Sequence, residues 1–150
     1  MKLGKTDEAL RLAREAYKLN VKSGNRGKAA VRLSQMAEPM ISAGNLDQAR
    51  DSLLIAVPIL LNNGNNYSLS VCYRQLGDIE KDKGDAAKAT EYYLRALALC
   101  KLLGNKQVER SVRHGLWNTL KDSQPTEALK HLEAYTELTD SIFSERGSQD

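Results

Sequence analysis

Apolar residues return along this chain three and four positions apart, in blocks that close at a glycine or asparagine, which is the signature of amphipathic helices. The first block predicts a helix over about Thr6–Lys22, with Thr6 as N-cap, Asp7 and Glu8 in the first turn, and Ala9, Ala13, Ala16 and Tyr17 facing inward. A second helix, about Arg26–Ala43, turns Ala30, Leu33, Ala37, Met40 and Ile41 inward, and Pro39 should kink it or remove one backbone bond. The third, about Leu46–Leu61, carries Ala49, Leu53, Ala56 and Leu60. Its run Leu53–Leu61 is apolar on nearly every side, so it is expected to be the most buried helix, in the middle of the stack. The fourth, about Tyr67–Lys83, stripes Leu69, Cys72, Tyr73, Leu76 and Ile79, and the fifth, about Ala86–Leu103, stripes Ala89, Tyr93, Ala96, Cys100 and Leu103. The sixth, about Lys106–Lys121, shows Val108, Val112, Leu116, Trp117 and Leu120. The seventh, about Thr126–Phe143, follows Pro125 and shows Ala128, Leu132, Tyr135, Leu138 and Ile142. Residues 144–150 are polar and are expected to be a flexible tail.

These helices repeat. Gly-x-x-x-x-Ala turns start at Gly4, Gly44 and Gly84, so that Ala9, Ala49 and Ala89 are spaced by 40, and Ala128 follows after 39. A second set, Gly24-Asn25, Gly64-Asn65 and Gly104-Asn105, interleaves with the same spacing of 40. Two glycine-centred turns per period mean two helices per repeat. The register also decides Leu53–Leu61, which alone could pass for a buried strand, because the matching stretches are plainly helical. Residues 1–143 are thus one domain of three to three and a half helical repeats.

Composition agrees with an all-α chain. Of 150 residues 41% are apolar, yet there is a single Phe and a single Trp, and alanine-rich stripes suit closely packed helices better than sheets. A net charge of +3 is spread over interspersed Lys, Arg, Asp and Glu with no basic run, so nothing points to nucleic acid. The N-terminus lacks the apolar core of a signal peptide, and the longest apolar run is too short to cross a bilayer, leaving the membrane only to segments outside this chain. Met1 stands so near the first helix that the sequence is expected to be cut from a longer one.

No catalytic constellation stands out. Cys72 and Cys100 sit on apolar faces without CxxC or Cys/His spacing; buried thiols are the expectation, with a disulfide between neighbouring helices left open. His114 and His131 lie on different helices without a ligand pattern, no phosphate loop or nucleophile elbow occurs, and Asn66-Tyr67-Ser68 is an isolated glycosylation sequon. The chain is expected to be no enzyme and to need no cofactor or metal.

Tyr73-x-x-Leu76-Gly77, followed by Ala89-x-x-x-Tyr93 and Ala96, resembles the tetratricopeptide repeat, or TPR. In that pattern Gly77 and Ala89 let two helices approach while Tyr73 and Tyr93 fill the adjoining holes. The resemblance covers nearly the whole chain and implies a right-handed α-solenoid of about seven antiparallel helices. There are departures: the period is 40 against the usual ~34, and Glu80 and Lys101 replace an expected aromatic and proline. Met36-Ala37 fits Leu-Gly loosely, and Leu116-Trp117 puts bulk where a small residue belongs, which should splay or cap the last hairpin. The end, from Ala128-Leu129-Lys130-His131-Leu132-Glu133-Ala134-Tyr135 to Thr139-Asp140-Ser141-Ile142-Phe143, resembles the last repeat of TPR sensor regions in Bacteroidetes signalling proteins. That narrower likeness implies a histidine kinase or DNA-binding output module beyond this chain, and a periplasmic setting; without it the setting is cytoplasmic.

TPR stacks line a concave groove with the first helix of each pair, here the second, fourth and sixth helices. One step past the buried stripe, this places Ser34, Glu38 and Ile41, then Arg74, Asp78, Lys81 and Asp82, then His114, Asn118 and Lys121 in the groove. A solvated, salt-bridged face is the plain alternative, since Arg74, Asp78, Lys81 and Asp82 can pair among themselves. The Lys/Asn set with which some TPR cochaperones clamp a carboxylate is not reproduced, because Ser34 and Glu38 occupy donor positions. The expectation is a non-catalytic protein-interaction module, the sensor or regulatory portion of a bacterial signal-transduction protein, binding a protein or peptide in the groove. The alternative is a stand-alone scaffold that self-associates through its ends, where the alanine stripe of helix one and Ile142 and Phe143 look uncovered. An enzyme accessory domain comes third.

Overall fold

The computed structural model describes residues 2–148, with the side chains of residues 1–7, 9, 10 and 147–150 outside the description. All of it is helix and turn: α1 (Lys2–Lys22), α2 (Arg26–Ser42), α3 (Leu46–Asn62), α4 (Asn66–Asp82), α5 (Ala86–Leu103), α6 (Lys106–Leu120) and α7 (Pro125–Ser148), with no strand among the described residues.

One short device makes the first five turns. Gly24, Gly44, Gly64, Gly84 and Gly104 each take a positive φ, between +67° and +86°, the left-handed conformation that only a residue without Cβ adopts cheaply. The next residue closes the old helix and opens the new one. Its N–H reaches back five residues, as in Asn45 N to Met40 O at 2.8 Å and Asp85 N to Glu80 O at 2.9 Å. The side chains of Asn25, Asn65, Asp85 and Asn105 then accept from the third N–H ahead, whereas Asn45 makes no such bond. The period is therefore 20 residues at the turn level.

Consecutive helices pair, most closely α1 with α2, α2 with α3, α4 with α5 and α6 with α7, and α4 also touches α2 and α6. The helices α2, α4 and α6 thus form one contiguous inner row. The outer helices α3 and α5 do not meet at backbone distance among the described residues. A single core runs through the stack, from Ala30, Leu33 and Ala37 through Leu53, Leu76 and Ile79 to Leu116, Leu120 and Ala128.

Several expectations need correcting. The most buried helix is α4, not α3, because α4 has neighbours on four sides while α3 touches only α2 and α4. The apolar surplus of α3 faces outward: Leu54, Ile55 and Leu61 are 47%, 53% and 56% exposed. Helix α1 starts at Lys2, so Gly4–Thr6 is helix rather than a turn with a cap. Ala13 and Tyr17 pack on the core, while Ala9 lies outside the described side chains. Residues 144–148 continue α7 as helix instead of leaving it as tail.

At the misfit Leu116-Trp117, Leu116 is fully buried and Trp117 packs partly buried against the core. Gly115, two residues before Trp117, is a small residue that meets Tyr93 of α5. A Cβ on Gly115 would lie 2.5 Å from Cζ of Tyr93, and one on Gly77 would lie 2.6 Å from Cδ1 of the same ring. Tyr93, fully buried, is clamped between α4 and α6 by two glycines.

Candidate functional site

The inner row carries a polar chain that runs from α2 to α5. Gln75, fully buried, accepts from Ser34 Oγ at 2.9 Å and donates through Nε2 to Ser34 O and to Glu38 Oε1, both at 3.0 Å. Glu38 Oε1 also accepts from Arg74 Nη2 at 2.5 Å, and Arg74 Nη1 donates to Asp78 Oδ2 at 2.8 Å. The hydroxyl of Tyr93 donates to the other oxygen, Asp78 Oδ1. Every buried group thereby has a partner, as a low-dielectric interior requires. Burial works against the charge of Arg74, but Glu38 and then Asp78 outweigh it and hold its pKa above the ordinary guanidinium value. Burial, reinforced by the Asp78 carboxylate, pushes the Tyr93 phenol far up, so it stays protonated as a donor.

Beside this chain opens a cleft of ≈ 450 Å³ that spans four helices. Ile41 of α2 closes one side; Arg74, Asp78, Lys81 and Asp82 line it from α4. The facing wall is Arg110, Ser111, His114 and Gly115 of α6 with Tyr135 of α7. Arg110 donates through Nε to Thr139 Oγ1 at 2.8 Å and through Nη2 to the Tyr135 hydroxyl at 3.3 Å, and its guanidinium lies 5.2 Å from the centre of the Tyr135 ring. His114 stands against the other side of this wall, 5.2 Å between ring centres. Two further clefts of ≈ 440 and ≈ 480 Å³ sit at helix ends, around Lys106 at the start of α6 and Arg26 at the start of α2.

Of the residues the sequence assigned to a groove, Arg74, Asp78, Lys81 and His114 line this cleft together, as do Ile41 and Asp82. Ser34 does not, and its assignment is corrected: it is only 6% exposed, because α2 and α4 pack tightly enough that one step past the stripe is still interface. Glu38 stays half exposed, yet its carboxylate is spent on Arg74 and Gln75 and it does not line the cleft. Asn118 and Lys121 form a ladder down α6 beyond the cleft, Lys121 Nζ to Asn118 Oδ1 at 3.4 Å and Asn118 Nδ2 with His114 Nδ1 at 3.3 Å.

Sequence reading missed Arg110, Ser111, Gly115 and Tyr135. Arg110 and Ser111 sit one helical turn before His114, and Gly115 is next to it, so all three were within reach of a helical projection of α6. Tyr135 was placed in the core stripe of α7; instead its half-buried ring reaches across to α6.

Other chemistry is weakly supplied. Cys72 and Cys100 are free and buried, and desolvation pushes both thiols up to about 11, so neither is an ionised nucleophile near neutrality. Among the described residues no three His, Cys, Asp or Glu side chains are placed to share a metal ion, and no helix is long and apolar enough to cross a membrane. Compared with models of known protein families and with curated proteins, the chain matches none.

Proposed function

We propose that this chain is a TPR-like, right-handed helical solenoid acting as a non-catalytic protein-interaction module, with a peptide or helix of its partner held in the cleft across α4, α6 and α7. The observation that carries this reading is the cleft itself. It is lined by all three helices of the contiguous inner row, and charged, aromatic and hydroxyl side chains from α4, α6 and α7 converge on it. The 20-residue turn device and the Tyr93 clamp between Gly77 and Gly115 support the repeat reading. Peptides selected against the folded chain and titrated into isotope-labelled protein test it. Amide shifts clustered on α4, α6 and the start of α7 are expected. Binders that instead shift the outer faces of α3 and α5, or a selection that yields none, would sink the proposal.

A second reading, association through the ends of the stack, has its own observation: Leu12 and Leu19 of α1 are 52% and 67% exposed, and Phe143 of α7 is 62% exposed. Light scattering on Leu19→Glu and Phe143→Glu proteins decides it, a monomeric parent being the refuting result. The narrower assignment to the sensor portion of a bacterial signalling protein rests on the resemblance of residues 128–143 alone. A native reading frame that runs past Asp150 into ~20 apolar residues would support it, and a stop codon there would sink it.

A further inference from the structure

Three cations line the cleft, and their charges are not equally available. Arg74 is held between two carboxylates, Glu38 at 2.5 Å and Asp78 at 2.8 Å, so its charge is answered within the fold. Both oxygens of Asp78 already accept a bond, since the Tyr93 hydroxyl donates to the one that Arg74 leaves. Lys81 lies three residues beyond Asp78, where an ion pair would ordinarily form. With Asp78 engaged twice, Lys81 has no carboxylate partner among the described residues. Among the described residues Arg110, on the opposite wall, bonds only to the neutral hydroxyls of Thr139 and Tyr135. Those bonds and the ring beneath fix the guanidinium without cancelling it. On the lining, two unanswered cations therefore face a single unpaired carboxylate, Asp82.

We infer that the cleft selects a peptide by an acidic side chain, which Lys81 and Arg110 contact from opposite walls, a specificity that rests on the groove reading above. Charge-assisted bonds to a carboxylate are the strong ones, and a preset guanidinium loses little freedom in making them. Tyr93 is a positioning residue in this arrangement: its hydroxyl competes with Lys81 for Asp78. The cleft accordingly takes glutamate- or aspartate-bearing segments and rejects lysine-rich ones.

The test uses N-acetylated, C-amidated peptides differing only in Glu or Lys at the central positions, with inorganic phosphate as a free-anion arm, followed by calorimetry and amide shifts. The Glu peptide is expected to bind at the cleft and to weaken as salt rises. Lys81→Gln and Arg110→Gln are each expected to weaken it about tenfold, the scale of one charged hydrogen bond. Because Arg110 also braces α7, Arg110→Lys serves as the charge-keeping control, with helix content checked by circular dichroism. Tyr93→Phe frees Asp78 to pair with Lys81 and is expected to weaken the Glu peptide by a smaller factor, leaving an Arg110-dependent remainder. Equal or tighter binding of the Lys peptide at the cleft overturns the acidic specificity while leaving the groove reading intact. Phosphate binding as tightly as the Glu peptide overturns recognition of a peptide. If neither peptide shifts the cleft, both readings fall together.

Discussion

Helices α3 and α4 are neighbours of equal length, 17 residues each, and they exchange the burial their compositions promise. Helix α3 is among the most apolar segments of the chain yet buries four residues, Ala49, Leu53, Ala56 and Leu60. Helix α4 carries Ser, Gln, Arg, Asp and Glu yet buries nine, among them Ser70, Gln75 and Glu80. The difference is position. An inner-row helix has neighbours on both sides as well as its hairpin partners, so even its polar side chains are enclosed and must find partners. An outer helix is held on one side only, so its apolar surplus meets water. Hydrophobic content ranks what a helix could bury; the number of its neighbours decides what it does bury.

The largest effect that separates the two helices is a cavity. Leu76→Ala on α4, at a fully buried position, is expected to cost about 2–5 kcal/mol in chemical denaturation, whereas Ile55→Ala on α3 stays within about 0.5 kcal/mol. Equal losses at the two sites would mean that the outer face of α3 is covered in solution. Overpacking comes next. Gly77→Ala adds a methyl 2.6 Å from the Tyr93 ring, and the gain in helix propensity offsets only part of the strain, leaving a net loss of about 1–2 kcal/mol. Gly77→Ala combined with Tyr93→Leu should then lose less than the sum of the two singles. Strict additivity would show that the ring does not clamp α4 to α6.

Seven helices, their approximate bounds and the two-helix repeat were legible because apolar spacing and left-handed glycines are local properties of the chain. The corrections concern what is not local. The burial of α3 was misjudged because the strength of an apolar stripe says nothing about how many helices surround it. Ser34 was misplaced because a projection of α2 alone cannot reveal how close α4 comes. Much of the candidate cleft was legible: Arg74, Asp78, Lys81 and Asp82, which share a face of α4, together with Ile41 on α2 and His114 on α6. The other wall depends on Tyr135 leaning from α7 onto His114 and Arg110, a contact between helices that no single period encodes.

A third effect tests whether the polar side chains of α4 hold because they are partnered. Gln75→Leu keeps bulk but leaves Ser34 Oγ without its acceptor and Glu38 without one of its donors. Stripping partners from buried groups costs about 1–3 kcal/mol, so thermal unfolding should move down accordingly. Adding Ser34→Ala should recover part of the loss by removing the orphaned hydroxyl. An unchanged melting temperature for Gln75→Leu alone would show that water already serves this network.

The smallest effect comes from an outer helix that does reach inward. His131 of α7 is 5% exposed, and its Nδ1 stands 2.9 Å from Arg113 Nη1. A guanidinium only donates, so Nδ1 accepts, the ring is neutral, and Nε2 carries the proton toward Glu127 Oε1 at 3.9 Å. Desolvation first, then Arg113, holds the imidazole below its ordinary pKa; Glu127 opposes this, and Lys101 of α5 and Lys130 of α7 add to it. Arg113 itself is paired with Glu109 at 3.3 Å. The unfolded chain therefore binds the proton more readily than the folded one. Stability contributed here is complete above about pH 6.5 and declines as pH falls from there toward the folded value. Denaturation at pH 7.5 and pH 5.5 should show a drop in the parent protein that His131→Gln largely removes. An equal drop in both would place the acid sensitivity elsewhere. A drop confined to the parent would show that polar burial on α7 follows the same rule as on α4: an enclosed polar group stabilises only in the charge state its partners accept.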